Sequence, residues 1–168
     1  MLTEAIRLTL FPALMAFAAS SDLLTMTIAN RVSLILIGGF ALLAVLSGLS
    51  GAEFVSHLGA AAIVLAVAFT CFACGWIGGG DAKLAAATAL WLGVSHLFDY
   101  LVYASILGGA LTLMIVQFRT LPLPHILIGK EWAERLHREG GGVPYGIALA
   151  AAALLIYPQT EWMTALAV

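Results

Sequence analysis

The chain alternates long apolar runs with short polar gaps. Marking each Asp, Glu, Lys and Arg divides it into six apolar segments, at about Leu2 to Ser21, Val32 to Ala52, Phe54 to Ile77, Leu84 to Phe98, Tyr100 to Phe118 and Val143 to Thr160. Most approach the roughly 20 residues a helix needs to cross about 30 Å of hydrocarbon. The pattern predicts an all-α membrane protein of six transmembrane helices, a single domain over residues 1–168. The fourth segment is short for a span, so its helix is expected to begin at or before Asp81. The longest polar stretch, Arg119 to Gly142, sets Ile126, Leu127, Ile128, Trp132 and Leu136 among charged residues after Pro122 and Pro124. This predicts a short amphipathic helix lying in the membrane interface between the fifth and sixth helices. A plain connector is its simplest role, and guiding or gating of a substrate the alternative.

Charge placement sets the expected orientation. Arg31, Lys83, Arg119, Lys130, Arg135 and Arg138 all fall in the loops after helices one, three and five, and Arg7 alone lies opposite. Lys and Arg mark cytoplasmic loops, so both termini are expected outside the cytoplasm. With 62% hydrophobic and 10% charged residues and a mean hydropathy of +1.06, the composition excludes an ordinary soluble globule. A net charge of −2 gives no reason to expect a nucleic-acid partner. The N-terminal segment, with Arg7 and Ala18-Ala19-Ser20, is read as a first span rather than a cleaved signal. Glu4 spoils a positive n-region, and the run leads straight to Asp22 and further spans.

The candidate chemistry lies in two acids. Gly78-Gly79-Gly80-Asp81-Ala82-Lys83 places a carboxylate behind three glycines in an otherwise apolar run, and Asp22 closes the first apolar segment. Both are expected at the cytoplasmic edge, partly desolvated, and ionisable groups at membrane depth are functional candidates. Two carboxylates a few ångströms apart resist double ionisation and keep one shared proton. One can then take a proton from water while the other donates to a carbonyl oxygen. The bland readings are a helix N-cap for Asp81 and a solvated loop acid for Asp22. Gly78, Gly79 and Gly80 remove bulk where an extended substrate backbone would approach. Lys83 is an orientation charge or a partner for an ionised carboxylate, and Asn30 caps the second helix or bonds near the site.

The other chemistry-bearing residues are read as structural. Cys71 and Cys74 form a C-x-x-C within the third apolar segment and are expected to pack as small apolar residues, since zinc would need further ligands. His57 and His96 are placed toward the outer interface, and His125 and His137 in a loop without an evident partner. No metal and no cofactor is expected.

Read together, these motifs resemble the prepilin peptidases, membrane aspartic proteases with a G-x-G-D hallmark, and in size the short Tad/Flp-pilus branch (CpaA/TadV type). Gly78-Gly79-Gly80-Asp81-Ala82-Lys83-Leu84 matches the second-aspartate motif. The segment from Asp22 to Asn30 is similar to the first, with Ile28 and Asn30 six and eight residues after the acid. Val143-Pro144-Tyr145-Gly146 resembles the P-Y-G element opening the last helix. The resemblance runs from about Ala16 to Ala150. It implies that Asp22 and Asp81 are catalytic and that the substrate is a prepilin whose basic leader is removed at the cytoplasmic boundary of a bacterial inner membrane. Membrane lipid and pilus-assembly machinery are the further partners it implies. Ala29 stands where relatives usually have proline, and Leu24, Met26 and Thr27 where they are often basic. The cysteine-rich N-terminal region of the bifunctional relatives, and with it any basis for inferring methylation, is absent from this sequence. A small ion-coupled transporter, a non-catalytic pilus or secretion subunit and an archaeal preflagellin peptidase remain the alternatives.

Overall fold

The computed structural model describes residues 2–164 as a helical bundle. Its helices are α1 (Leu2–Thr25), α2 (Asn30–Leu46), α3 (Gly51–Ala73), α4 (Gly79–Thr120), α5 (Glu131–His137), α6 (Gly146–Ile156) and α7 (Glu161–Thr164), and no strand occurs among the described residues. Three of them, α1 from Thr3, α3 and α4, are long and apolar enough to cross a membrane, while α2 and the stretch Gly146–Gln159 are apolar but shorter. Large apolar side chains such as Val45, Phe98 and Leu113 face outward, each more than 70% exposed. That surface suits lipid rather than water.

α4 is a hairpin of two helical arms. Gly93 interrupts its helical dihedrals with φ 68° and ψ 178°, a combination essentially reserved for glycine. A straight helix would hold Gly80 and Gly108 about 42 Å apart at 1.5 Å per residue. Instead Ile28 packs against both Gly80 and Gly146, and the adjacent Tyr145 ring lies against Gly108. The chain therefore reverses at Gly93, and residues 94–120 run back along 79–92. The fourth and fifth apolar segments do form separate helical arms, but the break falls at Gly93 rather than at the expected Asp99. Asp99 is exposed on the surface of the second arm and does not interrupt its helix, whereas a reversal needs a residue free to take positive φ.

Side chains satisfy the backbone groups that the reversal frees. His57 Nδ1 donates to the Leu90 carbonyl at 2.7 Å, Trp162 Nε1 to the Trp91 carbonyl at 2.7 Å, and the Val94 amide donates to Ser56 Oγ at 3.4 Å. His57 is thus a buried structural residue rather than the interfacial one expected from its place in the chain. Around it Phe11, Phe40, Trp91, Tyr157 and Trp162 form an aromatic knot with ring centroids 4.4 to 6.4 Å apart. Trp91 also donates from Nε1 to the Leu36 carbonyl at 2.9 Å, tying α2 to α4. α3 starts in the same region with a reciprocal cap, the Ser50 amide to Glu53 at 2.8 Å and the Glu53 amide to Ser50 at 3.3 Å. This accommodates an acid at the beginning of an apolar helix.

The opposite end of the bundle carries α5. It forms within the stretch where a short amphipathic helix was expected, and buries Ala133 and Leu136. Arg135 Nη1 donates to the Leu24 carbonyl at 2.9 Å, fixing it to the end of α1.

Gly93→Ala should destabilise the fold by about 1–3 kcal/mol, because a Cβ would add strained dihedrals and lie 3.2 to 3.4 Å from the His57 ring. A thermal melt in detergent checks this. An unchanged midpoint would show that the reversal does not depend on Gly93.

Candidate active site

Asp22 lies in the last turn of α1, where the helix dipole disfavours an anion. Its carboxylate escapes that field by reaching a different helix. Oδ2 accepts the backbone N–H of Gly146 at 2.7 Å, and Gly146 is the first residue of α6. Initial helix amides have no partner within their own helix, so a carboxylate satisfies one of them. Asp22 is only 5% exposed, which makes that bond costly to lose.

Asp81 occupies the first turn of α4, where the dipole favours negative charge. Gly78 is the N-cap and has no side chain with which to cap the helix. Asp81 is therefore not the cap but the third residue inside, and its carboxylate turns back toward Gly78. A Cβ on Gly78 would come within 2.9 Å of Asp81 Oδ2. Asp81 is half-buried. Asp22 is among the charges that act on it.

Ile28 wedges the two acid-bearing elements together. α1 stops at Thr25, Met26 takes φ 56° and donates its amide to the Asp22 carbonyl at 2.8 Å. The turn then delivers Ile28 between Gly80 and Gly146, where added Cβ atoms would stand 3.2 Å from Ile28 Cβ and 2.7 Å from its Cδ1. The Asp22 segment, the start of α4 and the start of α6 thus meet at one end of the bundle.

The remaining expected site residues have distinct places. Lys83 Nζ donates to Asn30 Oδ1 at 2.9 Å; among the described residues no ion pair joins Lys83 to either acid. Asn30 is the first residue of α2, whose N-cap is Ala29 without a side-chain bond, so Asn30 links α2 to α4 rather than capping. Gly79 packs on Phe72, 3.2 Å from where its Cβ would be, and Gly80 on Ile28. Both glycines are used for internal packing, and Gly78 alone of the three is exposed. Cys71 and Cys74 are free thiols at the end of α3, Cys74 exposed. Among the described residues no group of three His, Cys, Asp or Glu side chains is arranged to hold a metal ion.

Gly146 and Arg119 are the residues that reading for carboxylates passes over. Arg119 donates from Nε to the Leu136 carbonyl at 2.8 Å and from Nη2 to the Gly141 and Gly142 carbonyls at 2.9 and 2.8 Å. It thereby holds the loop that delivers Pro144, Tyr145 and Gly146. The P-Y-G element was visible in sequence, but Arg119 looked only like an orientation charge. Three carbonyl bonds across 23 positions leave no sequence signature.

Gly146→Ala should fold yet lower proteolytic activity by about 10²-fold, the scale set by an ångström of misplacement. Its Cβ would lie 2.8 Å from Asp22 Oδ2 and 2.7 Å from Ile28 Cδ1. Cleavage kinetics on protein with a normal elution profile and melt check this, and wild-type rates would show that the tight packing of Asp22 and Ile28 on Gly146 does not position the acid.

Residues 9–113 match the family model of the type IV leader peptidases. Searches of curated proteins and of solved structures each returned no match. The matched span takes in well over half of the chain and contains both Asp22 and Asp81, so this apolar helical chain belongs to the type IV leader peptidase family and is a membrane protease.

Proposed function

We propose that the protein is an aspartic endopeptidase that removes the basic leader from Flp-type type IV prepilins at the cytoplasmic boundary of the inner membrane. Asp22 and Asp81 are its catalytic pair. The observation that carries this reading is the meeting of the Asp22 segment and the start of α4 around Ile28, inside a chain of leader peptidase ancestry. The ionised member takes a proton from water, the protonated member donates to the scissile carbonyl oxygen, and the two exchange roles as the tetrahedral adduct collapses. The leader and the cleaved bond lie on the cytoplasmic side, and the apolar segment after the cut lies in the membrane.

The topology follows from the same reading. Counting the two arms of α4 separately, with α1, α2, α3 and α6, gives six crossings, and α5 lies in the cytoplasmic interface. Both termini face away from the cytoplasm, as the division of Lys and Arg requires. The acids then share one membrane edge, which fits a leader peptidase better than a carrier with its site near the midplane.

Asp22→Asn and Asp81→Asn should each abolish cleavage of a synthetic precursor carrying a basic leader, a glycine and an apolar helix, with insertion intact. An amide keeps the shape but cannot carry the proton. Wild-type activity should fall on the acid side, where both carboxyls are protonated and no base remains, and on the alkaline side, where both are ionised and no acid remains. A chelator should leave the rate unchanged. Substantial cleavage by either Asn variant, or loss on chelation with recovery on added zinc, would overturn the two-aspartate mechanism.

A further inference from the structure

Between α2 and α3 a trough of about 620 Å³ opens, with the first arm of α4 as its floor. That is within the range of ligand-sized clefts and far above a packing defect. Its walls are regular. Starting from Asn30 on α2, Leu58 on α3 and Lys83 on α4, each helix contributes the residues at i, i+3, i+4 and i+7. Three helices thus turn one face each toward a common axis, the geometry that receives another helix. Ala61, Ala62, Ala86 and Ala87 keep those faces low, and small residues let helix backbones approach closely in a membrane.

The trough is polar at one end and apolar along the rest. Asn30, Ser33 and Lys83 stand at the end shared with the acids, Lys83 two residues beyond Asp81 and Asn30 two beyond Ile28. Lys83 gives one bond to Asn30 Oδ1, which leaves further Lys83 protons and the Asn30 amide group as donors. From there the trough runs about 10 Å, seven residues of helix, to Ile37, Leu58 and Leu90. Three residues beyond Ile37 on α2, Phe40 packs against Phe54 and His57, with ring centroids 6.0 and 5.1 Å away.

We propose that this trough seats the first two turns of the substrate's apolar helix, immediately after the bond to be cut. This deepens the function proposed above and rests on it. The occupant is a peptide helix because the alanines of α3 and α4 keep the walls low enough for a helix backbone to approach closely and because the donor-rich mouth lies within a helical turn of Asp81. Lys83 and Asn30 there offer protons to the carbonyl oxygens of the unwound segment that precedes the helix. The apolar walls then fix the register, so the same distance past the start of the helix is always presented to the acids.

The test reads occupancy apart from cleavage. A photo-crosslinking residue is placed at Ala62, inside the trough, or at Val67, on the lipid-facing side of α3, in the Asp81→Asn protein reconstituted in phosphatidylethanolamine and phosphatidylglycerol vesicles. The probe is the synthetic precursor described above. The expected result is a crosslink from position 62 to the first two turns of its apolar helix, competed by unlabelled precursor, and none from 67. In active protein, Ala62→Trp and Ile37→Trp should raise KM at least tenfold with kcat within twofold, while Val67→Trp changes neither. Crosslinks from position 62 only to phospholipid or to a second copy of the chain would overturn the proposal. So would unchanged KM in both trough variants. If wild-type protein fails to cleave but position 62 still captures the helix, the peptidase reading fails and the trough stands.

Discussion

The structure turns on a single backbone amide. Asp22 sits where its own helix repels negative charge, and the Gly146 N–H at the start of α6 is what makes its burial tolerable. That requirement propagates. Gly146 must lack a side chain because Asp22 and Ile28 occupy the space. The loop before it must arrive at a fixed height, which Arg119 enforces through three carbonyl bonds. Ile28, pressed between Gly146 and Gly80, carries the same constraint to the first turn of α4 and so to Asp81.

The bundle divides its labour between its ends. At one end aromatic rings and the bonded reversal at Gly93 make a closed packing unit, with Trp91 completely buried and its indole N–H and carbonyl both bonded. At the other, helices begin and stop, backbone amides look for partners, and the polar residues gather. The trough between α2 and α3 runs from the end shared with the acids toward Ile37, Leu58 and Leu90, which places specificity, in the function proposed above, in the apolar part of the substrate.

Much of this was legible because membrane burial makes charge conspicuous. Asp22 and Asp81 stood out against apolar runs, and the helices fall close to where Asp, Glu, Lys and Arg interrupt those runs. The Gly93 reversal was not legible, since Leu90-Trp91-Leu92-Gly93-Val94 reads as uninterrupted apolar sequence and a glycine inside a membrane helix is ordinary. Asp99, the charge that separates the fourth and fifth apolar segments, marks the boundary in the sequence instead. His57 was misplaced for a related reason: sequence gives its depth in the chain but not the freed Leu90 carbonyl that pulls it into the core. The role of Asn30 as the acceptor for Lys83 also lies in contacts 53 positions apart, beyond any local pattern.

The central claim is that Asp22 and Asp81 share one proton as a coupled pair. Carbon-13 NMR of protein labelled at aspartate carboxyl carbons, in lipid nanodiscs, reads their titration directly. The account expects the two resonances to titrate together in two separated steps, and Asp22→Asn to collapse the Asp81 curve into a single step at a different pH. An Asp81 titration that is single-step in the wild type and unmoved by Asp22→Asn would contradict it.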